Sequence, residues 1–143
     1  MRDADYIVVV DDLKRSRRLP EYGKSYTTAL IKKVEKNHGF IFLADSKGKL
    51  IGLVAGIVEK QKKGDLLECA PTKAGRVLEL FVSQNHRSKG IGEELMKKAE
   101  IYFKENKCNV VRVDVFSPNT RAHEFYKELG YSDRMIDMVK LLL

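Results

Sequence analysis

Arg87-Ser88-Lys89-Gly90-Ile91-Gly92 sets two cations and two glycines immediately before a charged, helix-like pattern. The start of a helix exposes backbone N–H groups that have no intrahelical acceptor, and it carries a partial positive charge, so such a loop suits a phosphate group. Glycine at 90 and 92 removes Cβ atoms that would hold a phosphate away. Arg87 and Lys89 add charge that fits a diphosphate better than a lone carboxylate. The plainer reading of a bare G-x-G is a flexible loop. Cys69 and Cys108 carry neither metal-type nor redox-type spacing and read as structural thiols, and no metal site is expected. His86 reads as a polar loop residue and His123 as a solvent-facing helix residue.

Two phosphate-binding patterns can be tested against the spacing. A P-loop needs G-x-x-x-x-G-K-[ST], which the sequence around Gly90 does not supply. A dinucleotide fold needs G-x-G-x-x-G tight against its strand. Here Leu95 stands where the third glycine belongs, and seven residues separate Val82 from Gly90. Asp114 does lie about where a ribose-binding acid would stand.

The elements around the loop follow from apolar periodicity. Residues 77–82 and 110–116 read as strands, and 40–44 with 50–58 as an antiparallel hairpin across Asp45-Ser46-Lys47-Gly48. Residues 24–37 repeat Tyr26, Leu30, Ile31 and Val34 at helical spacing, with Gly39 suited to the left-handed position that closes a helix. After the glycines, Ile91, Leu95, Ala99 and Tyr102 share a helix face, and Glu93–Lys97, Glu94–Lys98 and Glu100–Lys104 are favourable i,i+4 pairs. A second downstream helix opens at Ser117-Pro118-Asn119-Thr120 and ends at Gly130, with Ala122, Phe125, Tyr126 and Leu129 on its apolar side. Residues 61–76 read as mostly loop and 135–143 as a last strand, while 6–10 fits either a strand or the end of a helix. The order predicts an α/β domain with a mixed sheet.

At 143 residues the chain fits one domain over 1–143. Its apolar runs fall short of the ~20 residues of a membrane helix, and no signal-peptide pattern follows Met1-Arg2, which reads as cytoplasmic with no membrane partner. The net charge of +7 points to an anionic partner: nucleic acid, an acidic surface or a polyphosphate cofactor. The basic clusters Lys14–Arg18 and Lys60–Lys63 lack the interleaved aromatics of an RNA-binding sheet, which weighs against nucleic acid.

Arg87 to Gly92 also matches the Q/R-x-x-G-x-G/A signature of the GNAT superfamily of acyl-CoA-dependent N-acetyltransferases. The pattern follows a strand ending Leu80-Phe81-Val82 and precedes a helix, a strand, Asn119 and Tyr126, so residues 77–131 together resemble the core of that superfamily. The resemblance implies a mostly antiparallel sheet with one parallel, splayed strand pair, flanked by helices. It implies acetyl-CoA as co-substrate and an amine acceptor, with no metal. The backbone of Leu80, Phe81 and Val82 would pair with the pantetheine arm, and the amides of Ser88, Lys89, Gly90, Ile91, Gly92 and Glu93, beside Arg87, would hold the diphosphate. Asn119 would contact the arm, and Tyr126 would face the sulfur.

The chemistry that the resemblance implies is direct attack of an amine on the thioester carbonyl. A strand N–H near Phe81 or Val82 would meet the oxyanion, and the Tyr126 phenol, protonated at neutral pH with an ordinary pKa of about 10, would give the leaving thiolate its proton. The ammonium must first lose a proton. Asp114, five residues before Asn119, resembles the glutamate of ribosomal-protein N-terminal acetyltransferases and is placed ahead of Glu79, with a water-mediated route for either. Strand alternation puts Glu79 on one face with Val77 and Phe81. The plainer readings are an Asp114–Arg112 ion pair and a core role for Tyr126. A CoA-binding domain without catalysis is the alternative within the same resemblance. The family's opening strand and closing strand pair are reduced here, so the acceptor side is expected to be open or completed by a second copy in a homodimer.

Overall fold

The computed structural model describes residues 22–60, 63–64 and 72–142. The readings on 6–10, on Lys14–Arg18, on Cys69 and on Lys62 lie outside those residues. Helix α1 (Tyr22–Lys36) leads into strands β1 (Phe40–Ser46), β2 (Lys49–Lys60) and β3 (Lys73–Val82). A 3-10 turn at Gln84–His86 and helix α2 (Ile91–Glu105) follow, then strand β4 (Val110–Val113) and helix α3 (Thr120–Glu128). The sheet order is β1-β2-β3-β4; the first two pairings are antiparallel and β3–β4 is parallel. This is the expected mixed sheet with one parallel pair.

The hairpin turns on Lys47 and Gly48, both at positive φ, and the Asp45 carboxylate accepts from the Gly48 N–H at 3.3 Å. Two left-handed residues in succession match the twist of the strands they join. Helix α1 closes differently from its sequence expectation. His38 takes the left-handed conformation (φ 50°), and the Gly39 N–H donates to the Val34 carbonyl at 2.9 Å. Gly39 is needed for space: a Cβ there would stand 2.2 Å from the Gly56 carbonyl oxygen.

Two apolar layers hold the sheet. On one face Phe40, Val54, Val58 and Val77 pack with Leu95, Met96, Ala99 and Phe103 of α2 and Tyr126 of α3. On the other, Leu30 and Val34 of α1 pack with Ala55 and Ile57, flanked by Tyr26, Ile41 and Leu78.

Three expectations are corrected. Strand β3 begins at Lys73 rather than at Val77. Gly75 marked this stretch as loop, but a Cβ at Gly75 would lie 2.3 Å from Phe103 Cδ1, so the glycine admits a ring against the strand. Strand β4 stops at Val113, short of Phe116. Residues 131–142 form no strand: Met135, Ile136 and Met138 are 76%, 80% and 87% exposed, and no described strand pairs with them. β-propensity reflects fit to a neighbouring pleated surface and does not supply one.

On α2, Lys97 pairs with Glu93 at 3.7 Å and with Glu94 at 3.6 Å. The other two expected pairs give way to tertiary partners. Lys98 Nζ stands 5.5 Å over the Phe42 ring, and Glu100 accepts from the Tyr131 hydroxyl at 2.8 Å.

Candidate active site

The site is built where β3 outruns β4. Parallel pairing covers Ala74↔Val110 through Val77↔Val113 and then ends, while β3 continues to Val82 paired, among the described residues, with β2 alone. A β-bulge sits at that point: Ala55 opposes Glu79 and Gly56 opposes Val77, which leaves Leu78 as an extra residue on β3. Bulges bend a strand and increase its local twist. The stretch from Leu80 to Val82 therefore has an edge with no strand beside it among the described residues.

The bulge also revises strand parity. Val77, Leu80 and Val82 pack on the α2–α3 side, whereas Leu78 packs with α1. Glu79 joins that second side, because the Tyr26 hydroxyl of α1 donates to its carboxylate. Glu79 thus lies on the face opposite to Val77, contrary to simple alternation.

Beyond Val82 the chain is stitched before it reaches the glycines. The Ser83 N–H donates to the Ile51 carbonyl at 2.8 Å, Ser83 Oγ and His86 Nδ1 are 2.8 Å apart, and Arg87 Nε donates to the Val82 carbonyl at 3.0 Å. Arg87 thereby ties the loop to the strand end. Ser88 (φ 62°) and Gly90 (φ 84°) are left-handed, and Gly90 is the N-cap of α2 with no side chain capping the helix. The first bond across the N-terminus is Glu94 N–H to the Gly90 carbonyl at 3.0 Å. The N–H groups of Ile91, Gly92 and Glu93 precede it and suit an anion.

The two glycines have different causes. At Gly90 a Cβ would meet nothing within 4 Å, and the backbone angle is what requires glycine. At Gly92 a Cβ would stand 3.3 Å from Phe125 Cζ and 3.8 Å from Val82 Cγ2. Gly92 is therefore where the strand end, the start of α2 and α3 meet.

Helix α3 supplies Tyr126, whose ring is 8% exposed and packs edge-on to Phe125 and Tyr131 at 5.2 and 5.7 Å between centroids. The helix starts at Asn119, whose Oδ1 accepts from the Ala122 N–H at 3.2 Å. It ends at Gly130 (φ 96°), after which the Tyr131 N–H donates to the Tyr126 carbonyl at 3.0 Å. Burial, then the hydrogen bond to Glu100, push the Tyr131 phenol far above its ordinary value.

The two candidate acids fare differently. Asp114 has a 93% exposed side chain and accepts from Arg76 Nη1 at 3.1 Å, in place of the Arg112 pairing considered from sequence. Arg76 also binds Glu59. Burial alone would lower the Arg76 pKa, but Glu59, and then Asp114, hold the guanidinium above its ordinary value. Glu79 is part-buried under Tyr26. His123 Nε2 meets Asp133 Oδ1 at 2.5 Å on the outer side of α3, a bond that holds the carboxyl of Asp133 below its usual range. Burial pushes the half-buried Cys108 thiol up, as fits a structural cysteine.

Sequence reasoning missed Tyr26, Arg76, Glu100 and Tyr131. Tyr26 reads as part of an apolar repeat, where the signal is a polar tip at a core-facing position, and Arg76 reads as loop, which leaves no such signal.

Comparison with known proteins agrees with this fold. An acetyltransferase (GNAT) family model matches residues 7–131. An uncharacterized N-acetyltransferase of Methanocaldococcus jannaschii is 30% identical over 119 residues, covering 81% of this chain and 48% of that protein. The chain spans about half the length of the curated relatives it matches. A mutant protein from Bacillus halodurans shares the fold with a TM-score of 0.77 at 22% identity, over 92% of this chain and 81% of its own. AAC(6')-Iy, solved with the bisubstrate analog CoA-S-monomethyl-acetylneamine, gives a TM-score of 0.68 at 17% identity, over 86% and 84% of the two chains. With the family model matching residues 7–131, the chain belongs to the acetyltransferase (GNAT) family.

Proposed function

We propose that this chain moves an acetyl group from acetyl-CoA to a primary amine. The observation that carries the reading is that the strand stretch Leu80–Val82, beyond the pairing of β3 with β4, ends beside the uncapped start of α2, where Val82 lies against Gly92. A strand edge offers hydrogen bonds to an amide-bearing arm, and the helix start offers N–H groups to a diphosphate, so the donor set fits the two ends of one cofactor. Acetyl-CoA supplies the activated acyl group. In this reading Ser88, Lys89, Gly90, Ile91, Gly92 and Glu93 hold the diphosphate, with Arg87 holding the loop in shape. Asn119 fixes the start of α3 and turns its amide toward the arm. Tyr126 gives a proton to the departing sulfur, and a strand N–H near Phe81 or Val82 meets the negative charge that grows on the carbonyl oxygen.

For the base we favour Glu79 over Asp114. Asp114 is nearly fully exposed and tied to Arg76, whereas Glu79 is part-buried on the strand that would hold the donor. Since Glu79 faces α1 and Val82 faces α2, a water carries the proton from the amine in this arrangement. The acceptor belongs to the amine class; the aminoglycoside-type analog in one neighbour and the glucosamine-6-phosphate named for another make amino sugars the first acceptors to test.

Calorimetric titration with acetyl-CoA is expected to give one binding event per chain. No heat at millimolar acetyl-CoA would sink the proposal. A panel of amino sugars, polyamines and peptide N-termini, read by release of free thiol, then selects the acceptor.

A further inference from the structure

We infer that Tyr26 is the positioning residue for Glu79, so that helix α1 sets the orientation and acidity of the carboxylate that accepts the amine's proton. The inference rests on the reading of Glu79 as base. Tyr26 sits four residues before Leu30 on α1, and its ring joins the apolar cluster of Leu30, Val34, Ala55 and Ile57. The body of the side chain is thus held by packing, and its hydroxyl reaches past the cluster to donate to the Glu79 carboxylate. The bulge at Leu78 places Leu78 and Glu79 side by side on the α1 face, which turns the carboxylate toward that helix. A donor on a separate, packed helix adds a constraint that the strand does not supply.

A hydrogen bond donated to the ionised form of a carboxylate favours that form. The proton leaves the ammonium, passes through water to Glu79, and the freed nitrogen lone pair attacks the thioester; Tyr26 gives up no proton in the sequence. Among the described residues, the charged groups on this sheet face include Arg76 on β3, Glu59 on β2, Arg112 on β4 and Asp114 just past its end. They stay in place when only Tyr26 is changed.

The test uses the full chain with its glutamate carboxyl carbons labelled with ¹³C, followed by NMR across pH. The Glu79 signal is the one absent from Glu79→Gln. In Tyr26→Phe its midpoint is expected to rise by at least about 0.5 pH unit, a threefold loss of acidity. With 3-fluorotyrosine at position 26, whose phenol is a stronger donor of about the same size, the midpoint is expected to fall. An unmoved midpoint in both variants overturns the inference, and the fluorinated chain decides the question if Tyr26→Phe does not fold. With an acceptor from the amine panel, the acid limb of kcat/KM should move with the NMR midpoint in Tyr26→Phe, at unchanged KM for acetyl-CoA. If Glu79→Gln keeps the acid limb, the base reading fails even where the midpoint shift stands. If Glu79→Gln removes the limb and Tyr26→Phe leaves it in place, the positioning role fails alone.

Discussion

Tyr126 carries most of the proposed chemistry on one oxygen atom. Its ring is enclosed by Phe125 and Tyr131 and by the layer under α2, so replacing it with phenylalanine removes the hydroxyl and little else. Tyr126→Phe is expected to lower kcat by about 10²-fold or more, the range typical of a positioned proton donor, while acetyl-CoA affinity measured by calorimetry stays within about twofold. An unchanged kcat would remove the acid role from Tyr126. Asp114 gives the opposite lesson. Its place five residues before Asn119 was legible in the sequence, but its partner was not, because Arg76 is 38 residues away and reaches it only once β3 and β4 lie parallel. Glu79 was legible as a strand acid, yet its face was not. Simple alternation assigns the wrong side, and only the register with β2 exposes the extra residue.

At the scale of elements, both long helices and the hairpin were legible because each repeats its apolar residues at its own period over many positions. What was not legible depends on partners. Residues 73–76 became strand because Phe103 lies against Gly75, and 135–142 did not because no described strand runs beside them. The link between α2 and α3 is another such partner effect. The Tyr131 hydroxyl binds Glu100, and its ring packs on Tyr126, which joins the helix of the glycine loop to the helix of the proposed acid. The native state holds the Tyr131 proton above the pH at which an unfolded tyrosine, with a pKa of about 10, would lose it. The unfolded chain then binds fewer protons than the native one, so stability falls as pH rises beyond about 10. Tyr131→Phe should cost about 0.5–1.5 kcal/mol near neutral pH, with a flatter decline from pH 10 to 11 in urea unfolding. Equal slopes in the two proteins would show that Tyr131 does not titrate this way.

At the scale of the whole molecule, the described residues cover the two faces of the sheet unequally. The α2–α3 side is a broad aromatic layer, whereas the α1 side is a smaller cluster centred on Leu30 and Val34. In our reading the donor is handled where the sheet and α2 meet, and the acceptor comes from the side of α1. The parting of β3 from β4 makes this division possible, and a single surplus residue marks where it begins. With Leu78 removed, Val77 and Glu79 would become neighbours opposite Gly56 and Ala55, and an unbroken ladder to β2 would result with every later side chain still on its present face. A straightened β3 could then zip onto Asp114 and Val115 as it does onto Val113. The expected product of that deletion is a folded chain with an ordinary unfolding transition and no measurable heat on titration with acetyl-CoA. If the shortened chain still binds acetyl-CoA, the bulge is not what keeps the strands apart. On this view Leu78 acts as a spacer, a missed stitch that keeps the seam open at the one place where a cofactor could serve as the next strand.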